Sequence, residues 1–235
     1  MIVLGIDTST TQTSVALGTE NELVAAASFV GARRHDDVVP AIDRLLEWSG
    51  LELGQVGGVA VGVGPGRYTG LRIGIEAGKT LAQVLAVPIV GIPSLDVLAF
   101  GVRHTSRCIV SVIDARRREV FFATYRPVPG GVVRLGEYRV ATPGTLAAEL
   151  EALHEEVLLV GDGAVEYRHE LEQADARVEI APASLAHPWA SALVGLSAPR
   201  FIREETARPE DLVPLYLRKT DAEIAWDRRA VDPAG

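Results

Sequence analysis

Two acidic residues each end a buried apolar run and lead into residues that could contact phosphate. Asp7 precedes the turn Thr8-Ser9-Thr10-Thr11, and Asp114 precedes Ala-Arg-Arg-Arg118. Carboxylates can orient hydrated Mg²⁺, while hydroxyl and amide groups can bind phosphate. The same residue types also suit tight turns, and the first turn contains no glycine to let a phosphate approach the backbone. Weak nucleotide contact is therefore predicted at Asp7, Ser9, Thr11 and Asp114.

A glycine-rich block, Gly64-Pro-Gly-Arg-Tyr-Thr-Gly-Leu-Arg-Ile-Gly74, follows an apolar run and opens a helical pattern. Glycine at such a place admits either a phosphate at a helix N-terminus or a closely packed helix. The overlapping stretch Gly74-Ile-Glu-Ala-Gly-Lys-Thr80 is one residue short of a Walker A motif. It also falls inside the predicted helix and not in the loop after a strand. We therefore predict no phosphate loop in this block.

Small residues recur every fourth position along that helix, at Gly70, Gly74, Gly78 and Ala82, which places them on one side. Each interior glycine costs about 0.5–1 kcal/mol relative to alanine, so the stripe indicates close approach of another element. That element is either the chain's own sheet or a second protein, and we favour a second protein. The predicted partner interface joins this stripe to apolar residues of two helices: Val38, Val39, Ile42, Leu45, Leu46, Gly70, Leu71, Gly74, Ile75, Gly78 and Ala82.

The elements that carry these residues occur in the same order twice, as βββαβαβα. The first half predicts strands at 2–7, 13–17, 23–30, 59–63 and 89–92, with helices at 36–48, at about 69–86 and from 94. The second half predicts strands at 108–114, 119–125, 132–141, 157–160 and 178–180, with helices at 142–153, 164–173 and 184–196. A polar stretch at 103–106 divides a first lobe, 1–103, from a second, 104–220. Residues 221–235 are predicted to form a flexible tail, and Asp36 or Asp37 to cap the first helix.

Composition excludes several classes of protein. The chain has 235 residues, a formal net charge of −8 and a pI of about 5.2, which disfavours autonomous nucleic-acid binding. Its single cysteine, Cys108, excludes an intrachain disulfide framework and fits a reducing compartment. No apolar run approaches the ~18 residues of a membrane span, and no secretory signal is recognisable. We expect a cytoplasmic protein.

The duplicated α/β order, with an acid after the first strand of each half, resembles the actin-like ATPase (ASKHA) fold. That resemblance implies two lobes facing a nucleotide cleft, with the Asp7 and Asp114 turns in the phosphate-binding positions. The Gly161-Asp162-Gly163 turn falls where the fold's adenosine-contacting loop lies, so Gly161 and Gly163 join the candidate nucleotide contacts. A glycine-rich turn between a strand and a helix explains this segment equally well.

Four motifs make the resemblance specific to the TsaB (YeaZ) family. They are the start Leu4-Gly-Ile-Asp-Thr-Ser9, the block Gly64–Gly74, the run Asp114-Ala-Arg-Arg-Arg-Glu-Val120 and the late Pro214-Leu-Tyr-Leu-Arg218. The resemblance covers about residues 1–220. It implies a non-catalytic subunit that organises a TsaD-like paralogue, which transfers threonylcarbamoyl to N6 of the tRNA adenosine 3′ of the anticodon.

The same resemblance implies the partners and cofactors. A TsaE-like ATPase joins the complex, the free chain pairs with itself, and tRNA is reached only through the complex. No cofactor is expected to bind this chain tightly, although ATP or ADP and Mg²⁺ belong to the assembled complex. The paralogue holds its metal through a pair of histidines, and the matching segment here, Ser94-Leu-Asp-Val-Leu98, has none. We therefore predict no metal site and no catalytic residues.

Two alternatives stay open from the sequence. The chain could be a self-standing ATP-dependent kinase or phosphohydrolase of the actin-like fold. A glycoprotease-like peptidase is the weaker alternative, because the chain has neither a histidine-pair metal site nor a nucleophile motif.

Overall fold

The computed structural model describes residues 1–31, 37–175 and 177–218. The predicted cap Asp36 and the tail at 221–235 lie outside this range. The strands are β1 Ile2–Asp7, β2 Gln12–Gly18, β3 Leu23–Val30, β4 Val56–Gly62, β5 Ile89–Ile92, β6 Cys108–Arg116, β7 Glu119–Val128, β8 Gly131–Ala141, β9 Val157–Val160 and β10 Val178–Ile180. The helices are α1 Val38–Ser49, α2 Tyr68–Leu85, α3 Ser94–Gly101, α4 Pro143–Leu153, α5 Asp162–Glu166, α6 Arg168–Glu172 and α7 Ala190–Ile202.

The strands form two five-stranded sheets with the same topology. The first has the order β3-β2-β1-β4-β5 and the second the order β10-β9-β6-β7-β8. In each sheet the first three strands are antiparallel, and the later two run parallel to the first strand of their half. This symmetry confirms the predicted duplicated, two-lobed α/β architecture.

Both faces of the first sheet are covered, as the alternation along its strands requires. Leu4 and Ile6 of β1 pack into a core with α1 and α2. Val3, from the opposite face of the same strand, packs with Leu193 and Val194 of α7. A Cβ atom on Gly5 would lie 2.8 Å from the carbonyl oxygen of Ala190, so α7 lies almost against the strand backbone.

Two helices pack on the lobe that the other half of the chain forms, whereas each strand belongs to the sheet of its own half. All strands of the first sheet precede residue 103, the predicted lobe boundary, but α7 comes from the second half of the chain and packs on the first sheet. Conversely, Leu95 and Leu98 of α3 pack into the inner core of the second sheet, with Ile109 and Ile113 of β6. Contacts between α3 and α7 join the two lobes.

Two predicted helices differ from the structure. The segment at 164–173 divides into α5 and α6 at Tyr167, whose φ and ψ of −102° and 26° are not helical. The final helix begins at Ala190 and not at 184, because the residue before Pro188 is disfavoured in the helical conformation and Trp189 is extended. It then continues to Ile202, with Pro199 inside its last turn.

After α7 the chain returns along the first lobe as a strap, residues 207–218, which contains one 3₁₀ turn at Pro209–Asp211. Ala207 bridges to Ile89 at the edge of β5, Leu212 lies in the first-lobe core, and the amide of Leu215 donates to the Val63 carbonyl at 2.7 Å. The strap then crosses to the second lobe, where Arg218 donates to Glu119 at 2.6 Å. In the described ranges no helix is both long and apolar enough to span a membrane.

Candidate functional site

Asp7, at the end of β1, is closed off from solvent. Its Oδ1 accepts from the Ser9 amide at 2.9 Å and from the Ser9 hydroxyl at 2.7 Å, and its Oδ2 accepts from the Ser94 hydroxyl at 3.0 Å. Only 1% of Asp7 is exposed, and burial raises the pKa of its carboxyl to about 6. A side chain on Gly62 would collide with this carboxylate. The carboxyl group is thus a buried structural acceptor.

The glycine-rich block closes the turn that follows Asp7. The Thr8 hydroxyl donates to the Gly70 carbonyl at 2.7 Å, and the Arg67 amide donates to the Ser9 carbonyl at 2.7 Å. A side chain on Gly66 would collide with the same Ser9 carbonyl. The predicted nucleotide contact through Asp7 and Ser9 therefore does not hold in this conformation, since both are sealed beneath the chain's own loop. Thr11 is half-buried, and contact there stays a prediction.

Asp114, the equivalent acid at the β6–β7 turn, is more open and has different partners. Its Oδ1 accepts from the Arg116 amide at 2.9 Å, and the Arg116 guanidinium lies 3.3 Å from its Oδ2. The Asp114 amide in turn donates to Oδ1 of Asp162 at 3.1 Å. Burial raises the pKa of Asp162 to about 6. The two lobes are therefore not equivalent at this position, and a nucleotide contact through Asp114 stays a prediction.

The two glycines around Asp162 let the strand-to-helix turn press against β6. Gly161 has a φ of 128°, and a side chain there would collide with the Val112 carbonyl. A Cβ on Gly163 would lie 2.9 Å from the Asp114 amide nitrogen. This packing accounts for both glycines without a ligand, which is the simpler of the two interpretations that the sequence allowed. Adenosine contact by Gly161 and Gly163 stays a prediction.

The stripe of small residues on α2 faces the chain's own first sheet. A side chain on Gly74 would collide with the Thr8 hydroxyl, and one on Gly78 with a methyl group of Val61 on β4. Ala82 is 1% exposed. Gly70, Leu71 and Ile75 are buried on the same side. The prediction that these six residues contact a partner is therefore corrected, because internal packing explains their size and spacing.

Most of the α1 residues predicted at the interface are also internal. The four that lie in the first-lobe core are at most 9% exposed: Val38, Ile42, Leu45 and Leu46. Val39 alone of the predicted set is exposed, at 62%. The 3.6-residue period of α1 distinguishes two faces but does not say which one meets the sheet.

Exposed apolar side chains do occur on these helices, on the flanks of the buried positions. Trp48 of α1 is 71% exposed and Val84 of α2 is 72% exposed. Val84 continues a row of half-buried apolar residues on α2, Ile73, Ala77 and Leu81. We call these six residues, including Val39, the outer helical face. The sequence signal that could have found it is Trp48 itself, because tryptophan is enriched at protein interfaces.

The segment that corresponds to the metal-binding histidines of the paralogue has structural roles in this chain. Ser94 supports Asp7, and the Asp96 carboxylate accepts from the hydroxyls of Tyr125 at 2.7 Å and Tyr138 at 2.9 Å. Within the described ranges no three His, Cys, Asp or Glu side chains are grouped as metal ligands. His35 lies outside those ranges.

Comparison with known proteins agrees with this architecture. The family model described as "TsaD: tRNA N6-adenosine threonylcarbamoyltransferase" matches residues 30–226. The tRNA threonylcarbamoyladenosine biosynthesis protein TsaB of Bacillus subtilis is 32% identical, over 96% of this chain and 98% of its own length. The solved structure of YeaZ from Pseudomonas aeruginosa aligns with a TM-score of 0.79 at 28% identity, covering 92% of this chain and 99% of YeaZ.

A more distant structure shows the fold alone. Component A of the (R)-2-hydroxyglutaryl-CoA dehydratase of Acidaminococcus fermentans, an actin-like protein, aligns with a TM-score of 0.51 at 12% identity, over 87% of this chain and 99% of its own. The duplicated lobes and the 32% identity to TsaB over nearly the full length lead to one assignment. The chain belongs to the TsaB family, within the threonylcarbamoyladenosine branch of the actin-like fold.

Proposed function

We propose that this chain is a non-catalytic subunit that binds and organises a TsaD-like catalytic paralogue. The complex would transfer threonylcarbamoyl to N6 of the tRNA adenosine 3′ of the anticodon. The observation that carries this proposal is the closure of the first strand-end acid: Asp7 is 1% exposed and fully used by Ser9 and Ser94. A phosphotransferase of this fold would need an acid there that could reach a hydrated metal ion.

The outer helical face is the proposed docking surface for the paralogue. Exposed apolar side chains occur on two helices that contact each other: Val39 and Trp48 lie on the two flanks of α1, and Val84 lies on α2. Tryptophan is enriched among residues that dominate binding energy, and losing such an anchor typically costs about 2 kcal/mol or more, about thirtyfold in affinity. The same face would pair two copies of the chain when the paralogue is absent.

The remaining parts of the proposal concern the assembled complex. ATP or ADP and Mg²⁺ would bind in the complex and not tightly to this chain, and a TsaE-like ATPase would join it. The tRNA would be modified at the paralogue's active site. The family names, the absence of a helix able to span a membrane in the described ranges and the acidic composition all support a cytoplasmic location.

The decisive experiment replaces the apolar anchors with acids. Trp48→Asp and Val39→Asp should each abolish co-purification with the TsaD-like subunit and lower the threonylcarbamoyladenosine content of tRNA. Val133→Asp on β8 is the matched control, because Val133 is also an exposed valine, at 51%, and lies on the other lobe. Equal association of all three variants with the subunit would refute the proposed surface.

A calorimetric titration separates the proposal from the kinase alternative. The isolated chain should give no saturable heat with ATP and Mg²⁺ at millimolar concentration. Tight binding that Asp7→Ala abolishes would favour the kinase and would overturn the non-catalytic assignment.

A further inference from the structure

A row of arginine and tyrosine side chains crosses from one lobe to the other along the strap. On α2, the Arg72 guanidinium donates to the Tyr68 hydroxyl at 2.7 Å and lies 5.4 Å from the centre of the Tyr68 ring. Tyr68 stacks on Tyr216 of the strap, with ring centres 5.6 Å apart and planes 26° apart. Both tyrosines remain 45–46% exposed. The pair therefore presents aromatic surface to solvent next to a cation.

The row continues into the second lobe through Arg218. Its guanidinium binds Glu119, which pairs across the β6–β7 turn with Arg116. The tip of that turn is the exposed run Arg116-Arg117-Arg118. We call the arginines at 67, 72, 116, 117, 118 and 218, with Tyr68 and Tyr216, the basic rim.

The backbone of the turn gives an independent reason to look at these arginines. Arg116, Arg117 and Arg118 have φ angles of 63°, 57° and 57°, three consecutive left-handed residues. Glycine and asparagine adopt that conformation more readily than arginine does. The backbone conformation alone would therefore not favour arginine at these three positions, so we attribute the three arginines to a role of their side chains.

The rim is positive on a protein whose formal net charge is −8. Several of its arginines interact with acids, among them Arg116 with Asp114, Arg118 with Glu170 and Arg218 with Glu119. Arg67 and Arg72 take part in none of the ion pairs found among the described residues. These two arginines therefore contribute positive charge to the rim that none of those ion pairs offsets.

We propose that the basic rim binds RNA directly, with arginines on the phosphates and the tyrosine pair against an unpaired base. Guanidinium groups match phosphate geometry, and bases of any identity stack on exposed aromatic rings. An acidic protein would need only the positive charges of the arginines. The exposed tyrosine pair therefore favours RNA as the ligand, because its bases can stack on the rings. The choice of tRNA as the RNA rests on the proposed function. Direct binding would give this chain its own contact with the tRNA, which the proposed function assigns only to the complex.

The experiment measures binding of the full chain, without its partner, to a fluorescein-labelled transcript of an ANN-decoding tRNA by fluorescence anisotropy. The test variant carries Arg116→Asn, Arg117→Asn and Arg118→Asn, because asparagine suits the left-handed turn and removes the charge. The control carries Arg126→Gln, near the far end of β7, with Arg203→Gln and Arg208→Gln. Each of these arginines lies outside the basic rim and also forms an ion pair, so the change in net charge is the same. Circular dichroism spectra of both variants, compared with the wild type, check that the variants are folded.

The test variant should bind at least about tenfold more weakly than the control and should lower the slope of log affinity against log salt by about 2, since three phosphate contacts are lost. Tyr216→Leu should weaken binding about threefold or more without changing that slope, because stacking carries no charge. Equal affinities for the test and control variants would overturn the proposal. So would displacement of the transcript by polyglutamate at the same charge concentration, which would indicate a site for acidic protein. Co-purification with the TsaD-like subunit is scored separately, so loss of one activity does not imply loss of the other.

Discussion

Replacing Asp7 by asparagine distinguishes a structural acid from a metal ligand. The substitution keeps the size of the side chain and removes its charge. The new asparagine can still accept from the Ser9 amide and hydroxyl through its oxygen. Its amide nitrogen replaces the atom that accepts from Ser94, so the Ser94 hydroxyl must rotate and become the acceptor. Any cost of that exchange is the same at every pH.

The magnitude follows from the pKa of Asp7. Burial raises this pKa from 3.8 to about 6, so the native state holds the proton more tightly than the unfolded chain does. The stabilisation from this proton is fully present below about pH 4 and is lost as the pH rises to about 6. Above that pH the ionised, buried carboxylate costs about 3 kcal/mol, from the difference between the two pKa values at about 1.36 kcal/mol for each unit. Asparagine has no such pH dependence.

The assay is urea denaturation of the wild type and Asp7→Asn at about pH 4 and about pH 7, compared as a difference between the two proteins. Relative to wild type, the variant should gain about 2 kcal/mol in free energy of unfolding between the two pH values, since the unfolded carboxyl is already partly ionised at about pH 4, so its advantage appears at neutral pH. Other titrating groups cancel in this comparison. An unchanged difference would refute the raised pKa. If instead Mg²⁺ raised the unfolding midpoint of the wild type but not of the variant, Asp7 would be a metal ligand and the closed-site argument would fail.

Three further predictions test the packing that the structure assigns. Gly78→Ala should destabilise the chain by about 1–3 kcal/mol despite alanine's better helix propensity, because its Cβ meets Val61, whereas Gly101→Ala has open space and should be neutral in thermal melts. Leu212→Ala should cost about 2–5 kcal/mol because Leu212 is the buried anchor of the strap, while loss of the partly exposed Arg218 ion pair by Arg218→Met should cost less than about 1 kcal/mol by urea denaturation. Burial raises the pKa of the Cys108 thiol from 9.0 to about 11, so the native thiol should react with a thiol reagent about a hundredfold more slowly than in the unfolded chain; equal rates would contradict its burial.

The sequence predicted the strands well because buried strands leave a strong local signal. The five apolar runs of each half appear as strands in the predicted order, and repeated order alone revealed the duplication. The ends of β4 and β7 shifted by a few residues, since strand ends depend on pairing with neighbours. Helix boundaries failed where proline and an extended residue intervened, as at Pro188 and Trp189.

The site was harder to predict because residue spacing shows which residues share a helix face but not what that face contacts. Small residues every fourth position place Gly74 and Gly78 on one side of a helix, but the same pattern fits packing on a sheet or on a partner. Only three-dimensional contacts show that Thr8 and Val61 fill the space beside them. For the same reason the crossing of α3 and α7 between lobes left no local trace, since each helix is apolar enough for either sheet.

The glycine-rich block and the first acidic turn are two halves of one packed unit. Gly62, Gly66 and Gly74 each face an atom of the turn, namely the Asp7 carboxylate, the Ser9 carbonyl and the Thr8 hydroxyl. In an ATPase of this fold, glycine near such a turn lets the backbone approach a phosphate; here it lets the chain approach itself. The hydrogen bonds from Thr8 to Gly70 and from Arg67 to Ser9, each 2.7 Å long, hold the block against the turn. The residues that look most catalytic in the sequence therefore stabilise the base of α2, and the two surfaces that we propose for binding lie elsewhere, on the outer helical face and along the basic rim.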